Sequence, residues 1–190
     1  NEEGFLKSLM FLRYFIFLIV IRYLIKNDII KLKNFLIFSL ILSCFISIDI
    51  IFQALIGYNF FGFEAMARHN SGMFGDELIA GSYLQKFCLF GLVSLPFIFN
   101  ELDKKKLTLI FLLQLVFFSG ILYSGNRMPF LMYILMIILM IIFIKKLRKT
   151  FLIGSLFCIL IFILSFQFNR GVNVHWGEFY RSATNTVVNI

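Results

Sequence analysis

Two arginines stand where a side chain could hold an anion. Arg68 opens the stretch Arg68-His69-Asn70-Ser71-Gly72-Met73-Phe74-Gly75-Asp76-Glu77, and Arg127 belongs to Ser124-Gly125-Asn126-Arg127-Met128-Pro129. A guanidinium offers a planar fork of donors that pairs bidentately with phosphate or carboxylate and stays charged at any relevant pH. The chemistry open to the two is therefore anion binding, either of a substrate or of lipid headgroups at a membrane surface. His69 adjoins the first arginine. Asp76 is placed to cap a following helix, and Glu77 to favour the positive end of its dipole. A second cluster, Arg170, His175, Glu178 and Arg181, follows the last apolar run. There His175 is a candidate general base, or else an interfacial polar residue beside Trp176.

A third set of charges lies inside apolar runs: Arg13, Asp49 with Gln53, and Lys86. A charge near the centre of a bilayer costs at least ~2.5–3.5 kcal/mol on insertion scales, so each needs a partner or a purpose. Asp49 and Gln53 share one helical face. At about 1.5 Å per residue, Asp49, Lys86 and Arg13 come to a common depth of roughly 10–12 Å. The expectation is an intramembrane polar pair of Asp49 with Lys86, or failing that with Arg13. It serves either to fix helix contacts or as the floor of a polar cavity.

These residues must be carried by membrane helices. Of 190 residues, 61% are hydrophobic and only 15% charged, with a mean hydropathy of +0.93. Average soluble domains are about 45–50% apolar and about 25% charged, and a soluble domain of this length has no core large enough for the difference. The net charge of +8 falls in short basic clusters between apolar runs, the pattern that encodes topology rather than nucleic-acid binding. Cys44, Cys88 and Cys158 lie inside apolar runs with no metal-type or disulfide spacing.

Spanning helices need about 20 apolar residues. The fold expected is all-α, a polytopic bundle of about six transmembrane helices over Leu9–Ile25, Phe35–Ile56, Leu78–Phe99, Leu107–Tyr123, Met128–Ile144 and Phe151–Phe168. The loops alternate. Lys26, Lys31 and Lys33, then Lys104 to Lys106, then Lys145, Lys146, Arg148 and Lys149 mark one side, which the positive-inside rule makes cytoplasmic. Loops of about 57–77, 124–127 and 169–190 then face outward and carry the candidate site. Residues 1–190 read as one membrane domain. The Asn1 start and the Ile190 end, with no terminating signal, point to an internal stretch of a longer chain.

In the order and placement of Arg68–Leu84 and Ser124–Pro129, with Asp49-Ile50-Ile51-Phe52-Gln53, Gly57 and Phe61-Gly62 before them, the chain resembles the O-antigen ligase and O-antigen polymerase family. These are bacterial inner-membrane, multi-pass glycosyltransferases that act at the periplasmic face. The resemblance runs from about Asp49 to Ala183. It implies a glycan donor on undecaprenyl diphosphate, a glycan or lipid A-core acceptor, and neither nucleotide nor metal. It also implies that Arg68 and Arg127 grip the diphosphate and stabilise the leaving group's charge. His69, Asp76, Glu77, Arg170, Glu178 and Arg181 are then further substrate contacts. In the family the base is a histidine of a large periplasmic region, to which His175 looks like the entry. The competing expectation is a transporter or flippase without chemistry, in which Asp49 and Lys86 couple or bind. Against it, the chain has no clear internal repeat.

Overall fold

A computed structural model of the chain describes residues 2–66, 69–99, 102–168, 172–174 and 177. Among these residues the chain is helical, without strands. The long elements are α1 (Glu2–Lys26), α2 (Leu32–Ile56), α3 (Ala80–Ile98), α4 (Lys104–Tyr123), α5 (Arg127–Phe143) and α6 (Arg148–Phe168), with single 3-10 turns at Gly72–Phe74 and Lys145–Leu147. The helices overlap the six apolar runs but extend into their charged flanks. Lys104 to Lys106 form the first turn of α4 because lysine is a good helix former whose stem tolerates an apolar neighbourhood.

By length and composition, three segments among the described residues can cross a bilayer: Leu32–Ile56, Lys104–Tyr123 and Lys145–Gln167. A fourth apolar helix, α5, is shorter at 17 residues. The chain is thus a membrane protein with several apolar helices.

It divides into two compact units, Asn1–Phe38 and Ser39–Ile190. In the first, α1 carries Arg13 and Arg22 exposed. It ends in a turn where the Asn27 N–H donates to the Tyr23 carbonyl at 3.1 Å and Asp28 takes a left-handed φ of 54°.

In the second unit, α4 packs on α3 and α6, and α5 packs on α3 and α6. Its core holds Ile46, Ile50, Leu84, Leu92, Phe117, Ile121, Tyr133 and Phe151, all nearly or wholly excluded from solvent. Close approach depends on small residues, as in membrane helix packing generally. A Cβ at Gly120 would fall 2.7 Å from the Ser47 Cβ, and one at Gly91 would fall 2.6 Å from the Leu40 Cγ. A Cβ at Gly154 would overlap the Gln114 side chain. Polar side chains tie the helices further. The Tyr133 hydroxyl donates to the Gln114 carbonyl at 3.1 Å, and the Tyr123 and Ser165 hydroxyls lie 2.8 Å apart. Arg148 closes the C-terminal end of α5, donating from Nε to the Ile141 carbonyl (2.9 Å) and from Nη2 to that of Ile142 (3.1 Å). A cation there complements both the orphan carbonyls and the helix dipole.

Candidate functional site

The loop after α2 is built back onto the helix it leaves. Asn59 is its hub. Its Oδ1 accepts the N–H groups of Phe61 (3.0 Å) and Phe63 (2.8 Å), and its Nδ2 donates to the Gly72 carbonyl at 2.7 Å. An asparagine that bonds the backbone just ahead of it makes a turn without needing regular structure. Gly62, at φ 85°, completes that turn.

Two side chains of α2 hold the turn from below. Gln53 donates from Nε2 to the carbonyls of Phe63 (3.3 Å) and Glu64 (3.1 Å), while its Oε1 accepts the Gly72 N–H at 2.8 Å. Asp49 accepts the Phe60 N–H at 2.9 Å on Oδ1 and the Asn59 Nδ2 at 3.4 Å on Oδ2. Both side chains are fully buried. Phe60 stacks on Phe52 of α2, ring centroids 4.5 Å apart, and so seals the polar contacts from one side. Gly72 has to be a glycine: its φ is 55°, and a Cβ would lie 2.9 Å from the Ile50 Cγ1 and 3.1 Å from the Asp49 Oδ2.

This overturns the expected Asp49–Lys86 pair. Lys86 is exposed on α3. The Asp49 carboxylate is satisfied by a backbone amide and a side-chain amide of the loop rather than by a cation. A buried polar group needs hydrogen-bond partners, and the loop supplies them. Nor is Asp49 the floor of a polar cavity, since the loop covers it.

Beyond this clasp the loop crosses to the end of α4. The Asn70 Nδ2 donates to the Tyr123 carbonyl at 2.7 Å, and the Asn70 N–H reaches the Ser124 carbonyl at 3.4 Å. The turn between α4 and α5 is stiff. The Ser124 hydroxyl donates to the Ile121 carbonyl at 2.7 Å, and Gly125 sits at φ 74°. Asn126, just before α5, donates from Nδ2 to the Leu78 carbonyl at 3.2 Å. Gly81 packs directly against Ser124 and Asn126, leaving no room for a Cβ. Three loop segments, 69–72, 78–81 and 124–127, are thus stitched together at one end of the bundle.

Arg127 is the first residue of α5 and half-buried; Pro129 lies in the same first turn. His69 is half-buried, next to the Asn70 stitch. Asp76 and Glu77 are exposed and do not cap α3. That helix starts at Ala80 behind Ile79, with no side-chain cap, because the chain spends residues 75–79 in turns. The Glu77 N–H bonds the Phe74 carbonyl at 3.2 Å, and the Leu78 carbonyl is held by Asn126. The α5 N-terminus also lacks a side-chain cap. Arg68, Arg170, His175, Glu178 and Arg181 lie outside the described residues. No group of His, Cys, Asp and Glu suited to a metal ion occurs among the described residues.

Asn59, Asn70 and Asn126 do the positioning, and sequence reasoning assigned none of them a role. The available signal was an asparagine beside a turn glycine: Asn59 three residues before Gly62, Asn70 two before Gly72, and Asn126 directly after Gly125. No protein-family model, no curated protein and no solved structure matches the chain.

Proposed function

We propose that the chain serves glycan transfer from an undecaprenyl-diphosphate donor, in the manner of O-antigen ligases and polymerases, at the periplasmic face of a bacterial inner membrane. The observation that carries this is the Asn70 stitch, with its 2.7 Å bond to the Tyr123 carbonyl. It brings the segment that follows Arg68 onto the turn that leads into Arg127. In this reading the helices cross the membrane six times, with the lysine clusters inside and the stitched loops outside.

Arg127, and Arg68 with it, grip the diphosphate. The acceptor hydroxyl oxygen attacks the anomeric carbon as the bond to the diphosphate oxygen breaks. The hydroxyl proton passes to a base, for which His175 is the candidate, and undecaprenyl diphosphate leaves with the electron pair. The guanidinium fork neutralises charge as it develops on that leaving group. In this reading His69, Asp76, Glu77, Arg170, Glu178 and Arg181 are further contacts for the donor glycan or for a glycan or lipid A-core acceptor. Transport or flipping without chemistry is the alternative. It calls on Asp49 or Lys86 for coupling, and the Asp49 carboxylate is already taken up by Phe60 and Asn59.

The test is transfer from an undecaprenyl-diphosphate donor by the full-length protein carrying Arg68→Ala, Arg127→Ala or Arg127→Lys, at matched expression. Strong impairment is expected in all three, because lysine keeps the charge but loses the bidentate fork. Wild-type transfer by both alanine variants would sink the reading in favour of transport.

A further inference from the structure

Between α4, α5 and α6 runs a cavity of about 390 Å³. Its wall on α5 includes Phe130, Ile134, Ile137 and Ile141, positions that recur with helical spacing along one stripe. The cavity is therefore a groove parallel to the helices, about 16 Å long at 1.5 Å per residue. Cys158 and Phe162 of α6 face it from the other side. It opens at the surface between α5 and α6, because Ile134, Ile138 and Ile159 line it and are still 37%, 48% and 56% exposed.

The polar groups in the wall have spent their donors within the protein. Gln114 Nε2 donates at 3.4 Å to both the Phe151 carbonyl and the Ser155 hydroxyl. Ser155 donates to the Phe151 carbonyl at 2.7 Å, and Tyr133 to the Gln114 carbonyl at 3.1 Å. A hydrated ligand would find no donor there. A void of this size costs packing energy, and in a bilayer the material at its mouth is hydrocarbon. One end lies at Phe130, a single turn from Arg127 at the head of the same helix.

We infer that this groove binds one hydrocarbon chain of an anionic membrane lipid, whose headgroup reaches the Arg127 end. Shape selects a single unbranched acyl chain, since the groove is long, narrow and open sideways along its length. Charge selects the headgroup. The inference goes beyond glycan transfer and does not depend on it: the groove would bind such a lipid in a protein with no transferase activity.

The experiment uses the full-length protein in phosphatidylcholine nanodiscs doped with phosphatidylglycerol carrying a diazirine midway along one acyl chain. After irradiation, labelled residues are mapped by mass spectrometry. Label is expected to concentrate on Ile137, Cys158 and Phe162 over Leu156 and Phe90, which are more exposed but lie outside the groove. The matching phosphatidylcholine probe should label the groove about fivefold less, the preference that one arginine near a membrane surface confers. Ile134→Trp, placed at the half-open rim, should displace groove label while leaving Leu156 labelled. Label spread evenly over groove and surface residues overturns the proposal, as does groove label undiminished in a folded Ile134→Trp protein. If that variant does not give a monodisperse protein, the wild-type distribution and the headgroup ratio decide alone.

Discussion

The Asp49 carboxyl group accepts the Phe60 backbone N–H at 2.9 Å, so a fully buried acidic side chain in an apolar helix is held by a loop and not by a lysine. The loop in turn depends on this side chain, since the same carboxyl group receives the Asn59 side chain that bonds Gly72. Helix and loop are coupled in one small network, and the network lies beneath the segment that leads to the stitched loops.

Asp49→Ala is therefore expected to destabilise the protein by about 1–3 kcal/mol, the cost of orphaning buried donors. Lys86→Ala, at an exposed position, should stay within about 0.5 kcal/mol. Thermal unfolding in the same detergent compares them directly. Equal losses, or a larger loss at Lys86, would restore the ion-pair description.

Gly120→Ala places a Cβ 2.7 Å from the Ser47 Cβ and 2.9 Å from its Cα, so the backbone of α2 has to move. A cost of about 1–3 kcal/mol is expected for such overpacking. Ser47→Gly in the same chain should recover part of it, since residues in contact do not behave additively. No recovery in the double variant would mean that the two helices do not meet there.

Asn70→Ala removes the 2.7 Å bond to Tyr123 while leaving both arginines in the chain. If the stitch sets their spacing, glycan transfer should fall by roughly tenfold to a hundredfold, as small misplacements of binding groups do. The melting temperature should change much less. Full activity in this variant would separate the stitch from the chemistry.

Topology is open to a chemical check. A cysteine at Lys105, in a Cys-free background, should be shielded from an impermeant thiol reagent applied to intact spheroplasts, and one at Asn126 should react. Reaction at Lys105 would reverse the orientation on which the outer-face assignment rests.

The helices were legible in the sequence because a long apolar run admits little else in lipid, where every backbone group has to be satisfied within the segment. Even their overshoot is physical: the Lys104 to Lys106 turn continues α4 because nothing in a lysine breaks a helix. The clasp was not legible. Matching charge with charge led from Asp49 to Lys86, whereas the partners are a Phe60 amide and an Asn59 side chain. A backbone donor carries no residue code, and only its place in space reveals it. The start of α3 was misjudged for a similar reason. Asp76 has the composition of a cap, but the Leu78 carbonyl is tied to Asn126, 48 positions away, and local propensity cannot see that bond.

Sequence separation also orders how these loops assemble during biogenesis. Every hydrogen bond from Asp49, Gln53 and Asn59 to the loop backbone spans at most 19 positions, whereas the Asn70 stitch to Tyr123 spans 53. Short separations close fast and long ones wait for distant chain. The clasp can therefore mature while α2 is newly inserted and nothing beyond Gly72 has emerged. Once the clasp closes, the Asp49 carboxyl group is held by the loop, and α4 later docks against a finished surface.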